Sequence, residues 1–469
     1  MLILLKEEDK QPLYMQIYRQ IRDQITAGQL PPGQRLPSTR SLSAELAVGR
    51  NTVESAYAQL AVEGYVASRP GSGHIVQKIP QLALAPRPDT APKARPVPPP
   101  PPAAGGLLCD FQYGHLDARD FPLNLWRRLT AQALAELSPE DFSVYGSGKG
   151  DYSLRWEICQ YLRRARGVQC APDQVMLCAG TTCALGFLGQ LLLPLHRHVA
   201  VEDPGYPNAR DTFSKCGFAV LPVPIEKDGL DVAALYSSGA RVVYTTPSHQ
   251  FPTGAVMSIQ KRRRLLHWAR QTGGLIIEDD YDSEFRYHTR PVPSIASIQP
   301  DAQVIYMGTL SKILSPGLRA SYLVLPPALA ARYEQQFDDH PASVPIIEQK
   351  VLQLFLGSEQ WEAHLRRACT ANRKKHDLLI QCLKEALPHF TIHGENAGLH
   401  ILLQAPPPLG ENALISRARE QGVRVYPVSR YWMNKQRYSG DMVLLGFGSL
   451  TEQQIRQGVA RLAQAWGGQ

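Results

Sequence analysis

From residue 77 to residue 106 the chain reads QKIPQLALAPRPDTAPKARPVPPPPPAAGG, and this stretch limits every fold open to the rest. Each proline removes a backbone donor and fixes φ, so neither a helix nor a sheet ladder runs through it. It is a linker. As polyproline II its thirty residues span about 90 Å, at about 3.1 Å per residue, and the run Pro98 to Pro102 is its stiffest part. The 469-residue chain is therefore read as a small domain over 1–78, a linker over 79–106 and a large domain over 107–469.

Composition excludes several classes. A hydrophobic content of 44% is enough for a large core, and no apolar run approaches the roughly 20 residues that a membrane span requires. The start, MLILLKEEDK, meets charge too early for a secretory leader. Eight cysteines are scattered without a CxxC pair or zinc-like His/Cys spacing, which predicts no metal site and free thiols in a reducing cytoplasm. The net charge of +8 is weak support for nucleic-acid binding over so long a chain, and Met1 to Lys78 holds nine Lys/Arg against seven Asp/Glu. Arrangement has to carry that reading.

In the small domain, Leu13, Ile17, Ile21 and Ile25 recur four apart, one stripe of an amphipathic helix ending near Gly28. Ser38 is placed to cap a second helix, STRSLSAEL. Asn51, with Glu54 three residues on, is placed to cap a third whose Val53, Ala56, Tyr57 and Leu60 face the core. Three helices with a tight turn before the third make a helix-turn-helix. VASRPGSGHIV then gives two short strands about a glycine-rich tip, the shape of a wing. Arg35, Arg40, Arg50 and Arg69 lie off the apolar stripes, where they meet phosphates or guanine edges as readily as solvent.

In the large domain five apolar runs, QVMLCAG, HVAVEDP, RVVYTTP, GLIIEDD and QVIYMGT, alternate with helical patterns. This predicts an α/β fold with a largely parallel sheet and ligands at the strands' carboxyl ends. Chemistry-bearing residues gather at those ends. Gly180, Thr181 and Thr182 open a helix whose free N–H groups suit an anion. Tyr206 follows the second run, and Ser248, His249 and Gln250 follow the third. Asp279, Asp280 and Tyr281 come after the fourth, where a carboxylate is expensive unless a cation partners it. After the fifth, GTLSKILSPGLR puts Lys312 in a turn with Thr309, Ser311 and, seven residues on, Arg319. A lysine amine beside a phosphate site points to pyridoxal 5'-phosphate (PLP) as the group held.

The segment RLPSTRSLSAELAVGRNTVESAYAQLAVEGYVASRPGSGHIV resembles the winged-helix domain of the GntR family of bacterial regulators. That resemblance implies operator DNA as partner, with Arg35, Ser38, Arg40, Arg50, Thr52 and Arg69 at the duplex and Gly71, Gly73 and His74 dipping toward the minor groove. From Asp110 onward the ordered strand-end set resembles the fold type I PLP aminotransferases. Carried over, Lys312 binds the cofactor covalently, Asp279 faces its ring nitrogen, Tyr281 bonds its ring hydroxyl and Tyr206 stacks on the ring. Thr181, Thr182, Thr309, Ser311 and Arg319 hold the phosphate. Tyr145, in YGSGKGDYSLR, reaches a neighbouring subunit's phosphate in a homodimer, and Arg430, in PVSRYW, grips an effector carboxylate. The whole architecture resembles the MocR/GabR subfamily of GntR regulators, which implies a regulator sensing an amino acid or PLP itself. A working aminotransferase with a fused DNA-binding domain is the alternative.

Overall fold

The structure is a computed structural model and describes residues 1–5, 11–69, 73–79, 107–287, 292–337 and 340–467. The described chain forms two units, divided at Pro102 and Ala103.

In the N-terminal unit α1 (Leu13–Thr26) buries Ile17, Ile21 and Ile25, while Leu13 at its first turn stays 39% exposed. Next, α2 (Thr39–Glu45) is capped by Ser38, whose hydroxyl accepts the Ser41 N–H at 3.0 Å. The third helix, α3 (Arg50–Val62), starts earlier than its sequence suggests. Its cap is Gly49 in extended conformation, so Asn51 lies inside the first turn, and Glu54 pairs with Arg50 at 2.8 Å instead of closing a capping box. Ala47, with φ of 53°, makes the tight turn that allows this earlier entry. Val53, Ala56, Tyr57 and Leu60 are fully buried, so one face of α3 is core and the other is free. Strands β1 (Val66–Arg69) and β2 (Gly73–Val76) pair antiparallel, Arg69 opposite Gly73, as the wing.

The C-terminal unit is built on an eight-stranded sheet. In chain order its strands are β3 (Val175–Cys178), β4 (His198–Asp203), β5 (Ala219–Glu226), β6 (Gly229–Leu230), β7 (Val242–Thr245), β8 (Leu275–Asp279), β9 (Val304–Thr309) and β10 (Ser321–Val324). They lie side by side as β3-β10-β9-β8-β7-β4-β5-β6. Neighbours from β9 to β5 run parallel, whereas β10 is antiparallel to both β9 and β3. The five apolar runs read from sequence are β3, β4, β7, β8 and β9. Their interiors are wholly buried, as strands covered on both faces must be. Consequently every loop that leaves a carboxyl end of the parallel strands opens on one edge of the sheet.

Helices α4 (Tyr152–Arg166), α5 (Thr181–Leu192) and α6 (Pro207–Cys216) belong to this unit, together with the long α7 (Glu359–Ala386). A second, antiparallel sheet joins β11 (Thr391–His393), β12 (His400–Gln404), β13 (Tyr426–Pro427) and β14 (Met442–Gly446) in the order β11-β12-β14-β13. Among the described residues no helix is long and apolar enough to cross a membrane.

Candidate functional site

At the carboxyl edge of the large sheet lies a cavity of about 250 Å³. Of the residues that sequence reasoning singles out, Thr181, Thr182, Tyr206, Asp279, Tyr281, Thr309, Ser311, Lys312 and Arg319 all line it. They arrive from the ends of four strands, β3, β4, β8 and β9, of which β8 and β9 are neighbours while β10 and β7 stand between these and the other two.

Gly180 is the bend between β3 and α5, with φ of 86°, a conformation glycine adopts without steric cost. A Cβ there would lie 2.2 Å from the Arg319 guanidinium, so glycine is also what lets this arginine reach the start of α5. Arg319 itself takes a left-handed conformation, φ 51°, at the end of the turn Pro316–Leu318. A guanidinium beside the free N–H groups of a twelve-residue helix is an anion cradle. Thr309 ties the neighbouring loop: its hydroxyl accepts the Ser311 N–H at 3.2 Å and donates to the Ala320 carbonyl at 3.3 Å.

At the other end of the cavity, burial pushes the Asp279 carboxyl up to about 7, against the Tyr244 hydroxyl, which donates to it at 2.5 Å and favours the ionised form. No ion pair to Asp279 is present among the described residues. Asp280, next along, is treated differently. Burial opposes its ionisation too, but the charge of Arg166 at 2.7 Å, with the hydroxyls of Ser248 and Tyr306, outweighs that and holds its pKa below the usual value. Two adjacent carboxylates are thus set apart, one neutralised within the protein and one awaiting a cation. Between cradle and carboxylate, Lys312 places its ammonium 3.9 Å from the centre of the Tyr113 ring. Burial lowers its pKa to about 8, partly offset by Asp282 and Asp279. A lysine tuned this way yields its free amine near neutral pH.

These residues fit PLP. The cavity pairs an anion cradle with a buried carboxylate lacking a cation, and a depressed lysine amine stands between them, matching the phosphate, ring nitrogen and aldehyde of that cofactor. Tyr281, buried, donates its hydroxyl to the His249 carbonyl at 2.9 Å. His249 in turn meets Asp282 through Nδ1 at 2.8 Å, and Gln250 bonds Glu202. Ser248 accepts from Arg166 at 3.1 Å. The third strand end therefore braces the cavity from behind.

Two expected residues stand apart. Tyr145 is 87% exposed, and Arg430 is exposed, lying over the Tyr431 ring at 5.1 Å and absent from the cavity lining. Conversely, Tyr113, Gly114, Tyr244, Phe251 and Arg166 escape the sequence reading. For Tyr244 a signal exists: a tyrosine inside the apolar run RVVYTTP needs a partner for its hydroxyl. Tyr113, in FQYGH, offers none.

On the N-terminal unit, Arg35, Ser38, Arg40, Arg50 and Arg69 are exposed and Thr52 is half-buried. Gly73 has φ of 74°, and a Cβ there would sit 3.5 Å from the Arg35 guanidinium, so wing and turn are packed closely. His74 turns partly inward, its ring edge-on to Tyr57 at 4.8 Å. This ring props the wing against α3 as much as it faces outward. Gly71 lies outside the described residues.

Comparison with known proteins agrees in both units. The Aminotransferase class I and II family matches residues 112–462, and the gntR family of bacterial regulatory proteins matches residues 13–76. The HTH-type transcriptional regulator YdeL of Bacillus subtilis is 37% identical over 97% of each chain. The probable rhizopine catabolism regulatory protein MocR of Rhizobium meliloti is 32% identical over 99% of this chain and 96% of that one. Among solved structures, the multiple substrate aminotransferase of Thermococcus profundus superposes with a TM-score of 0.70 at 24% identity, covering 78% of this chain and 92% of that one, which shows the fold. The chain belongs to the GntR family of transcriptional regulators, in its MocR-type branch, with a DNA-binding helix-turn-helix domain joined to an aminotransferase-like domain.

Proposed function

We propose that this regulator holds PLP in the cavity and responds there to an amino acid or to PLP itself, changing how its winged helices engage an operator. The observation that carries this reading is the convergence of Lys312, Asp279 and the Arg319–Gly180 cradle on one cavity. When bound, the cofactor supplies an electrophilic aldehyde and an electron-withdrawing ring. The protein's part is to present the Lys312 amine, keep a carboxylate at the ring nitrogen and fix the phosphate. Arg430 stands outside the cavity lining. Should an effector draw Arg430 inward, the β11–β14 sheet and its neighbours move with it, and that displacement is the signal.

The same reading makes the regulator a homodimer. Phe142, Val144, Tyr145, Tyr152 and Trp156 expose large apolar side chains within fifteen residues of sequence, more than a face left to water usually carries. Tyr145 is then the residue offered to the second copy. Two winged helices per dimer require two half-sites on DNA.

The test is to load the full chain with PLP and screen amino acids and vitamin B6 compounds for a change in its visible absorption, then footprint operator DNA with each hit. At least one compound is expected to alter both. Absence of any visible band with saturating PLP would sink the cofactor reading, and steady release of keto acid at enzymatic rates would replace sensing with catalysis. Sedimentation of the loaded chain as a stable monomer would remove Tyr145 from the site.

A further inference from the structure

Among the eight free cysteines, two meet. Cys159, buried on α4, accepts a hydrogen bond from the thiol of Cys170 with the sulfurs 3.4 Å apart. Cys170 is partly exposed in the segment between the end of α4 and the turn Pro172–Gln174. Among the described residues no other thiol–thiol hydrogen bond is present. Neither sulfur lines the cofactor cavity, so their closeness has no place in the proposed binding chemistry.

We propose that Cys159 and Cys170 form a dithiol site that a low-molecular-weight disulfide, of the glutathione class, oxidises reversibly to an intramolecular disulfide. Access sets the order of events. Cys170 is the more exposed of the two; its hydrogen bond to Cys159 and burial raise its thiol above the ordinary value, so it gives its proton to solvent only as pH rises, and its thiolate then attacks one sulfur of that disulfide. The small molecule's S–S bond breaks, and one half leaves as a thiolate that takes up a proton. Cys159 then attacks the Cys170 sulfur and expels the second half as a thiol. Two protein thiols are oxidised and one small disulfide is reduced to two thiols, with nothing left over.

The geometry suits the second step. The S–S bond is about 2.0 Å long, so sulfurs already 3.4 Å apart have only a short approach left to make. The surroundings suit it as well. In the dithiol, donation from Cys170 and the charge of Arg155 lower the Cys159 thiol against burial; once Cys170 is in the mixed disulfide that donation is gone, and the charge of Arg155 remains to favour the Cys159 thiolate. In a reducing compartment a disulfide that forms transiently is a sensing device rather than a staple. Its position gives it something to act on. Four residues before Cys170, Arg166 ends α4 and pins Asp280 at 2.7 Å, beside Asp279 in the cavity wall. This inference does not depend on PLP binding.

Full-length chain is incubated with oxidised glutathione at pH 8, alkylated with iodoacetamide in denaturant and digested without reductant. One cross-linked peptide joining Cys159 to Cys170 is expected, with loss of alkylation at both and its recovery after dithiothreitol. Cys159→Ser should leave Cys170 as a stable glutathione adduct. Full alkylation of both cysteines in the wild type, glutathione retained separately on each, or a cross-link to any other cysteine overturns the proposal. If the serine variant fails to fold, the wild-type map decides alone.

Discussion

In the N-terminal unit the residues aimed at a partner stand on the surface: Arg35, Arg40, Arg50 and Arg69 are exposed around a core closed by Ile17, Tyr57 and Leu60. In the C-terminal unit the residues at the carboxylate end of the cavity sink into the sheet edge, with Asp279 4% exposed and Tyr281 9%, while Arg319 and Thr182 at the cradle stay exposed. The difference follows from the ligands each region suits. Duplex DNA is larger than the domain and is met by long side chains through solvent, with phosphates supplying most of the affinity. The ring and aldehyde of a small cofactor have to be enclosed, and that enclosure raises the Asp279 carboxyl and lowers the Lys312 amine. Function is therefore separable from stability in the first region and entangled with it in the second.

The largest test of that contrast is Lys312→Ala. Covalent attachment of PLP should vanish, shown by the absence of a borohydride-fixed adduct on the peptide spanning residue 312, while operator binding by the N-terminal unit persists. A surviving adduct would mean another lysine holds the cofactor. In the cofactor-free chain the Lys312 amine should react with acylating reagents increasingly as pH rises through about 8, well below the range of an exposed lysine. A midpoint near that of surface lysines would show that the cavity does not desolvate it.

Next in size is Leu60→Ala in the fully buried face of α3. Removing a buried leucine costs about 3 kcal/mol, which a domain as small as this one feels as partial unfolding. DNA binding should fall with the melting of the N-terminal unit, and PLP absorption should be unchanged. Loss of cofactor in this variant would show that the two units do not behave independently.

Asp279→Asn comes third and runs the contrast the other way. In the cofactor-free chain Asp279 keeps its proton until about pH 7, whereas an unfolded aspartate loses it near 3.9. With the folded pKa above the unfolded one, this residue's contribution to stability is present at low pH and is lost as pH rises toward 7, levelling off beyond. Asparagine removes that decline and should stabilise the cofactor-free chain at pH 8 by about 2 kcal/mol, while weakening PLP. A stability profile identical to wild type would mean the carboxylate is not desolvated. No exposed arginine of the winged helix offers such an exchange of stability for function.

How much of this was legible in the sequence follows the same division. The fold class and the strand-end positions of Gly180, Tyr206, Asp279, Lys312 and Arg319 are readable because a parallel sheet converts alternating apolar runs into one edge, so residues after each run must converge. The cavity's other walls are not. Tyr113 reaches Lys312 from a segment that precedes the sheet, and Arg166 reaches Asp280 from the last turn of α4, where it is one of several arginines with no local mark. The start of α3 is hidden from sequence for a related reason: capping patterns lie in side chains, whereas an extended Gly49 and a left-handed Ala47 set the entry.

The early entry of α3 places Arg50 where DNA would be met. With Asn51 inside the helix, Arg50 becomes its first residue, and its guanidinium pairs with Glu54 at 2.8 Å, both side chains well exposed. An exposed pair of this kind contributes about 0–1 kcal/mol, so a phosphate or guanine edge displaces Glu54 at small expense. Arg50→Ala should therefore weaken operator binding about tenfold and leave the fold and the PLP spectrum intact. Glu54→Ala acts in the opposite sense, because it frees Arg50 and removes a negative charge from a face that meets phosphates, so its affinity should equal or exceed wild type. Quantitative footprinting of both variants at one fixed salt concentration separates the possibilities. If Glu54→Ala weakened binding as much as Arg50→Ala, the pair would be holding α3 in place rather than standing ready for DNA, and the separation of function from stability claimed for the N-terminal unit would fail at its most exposed residue.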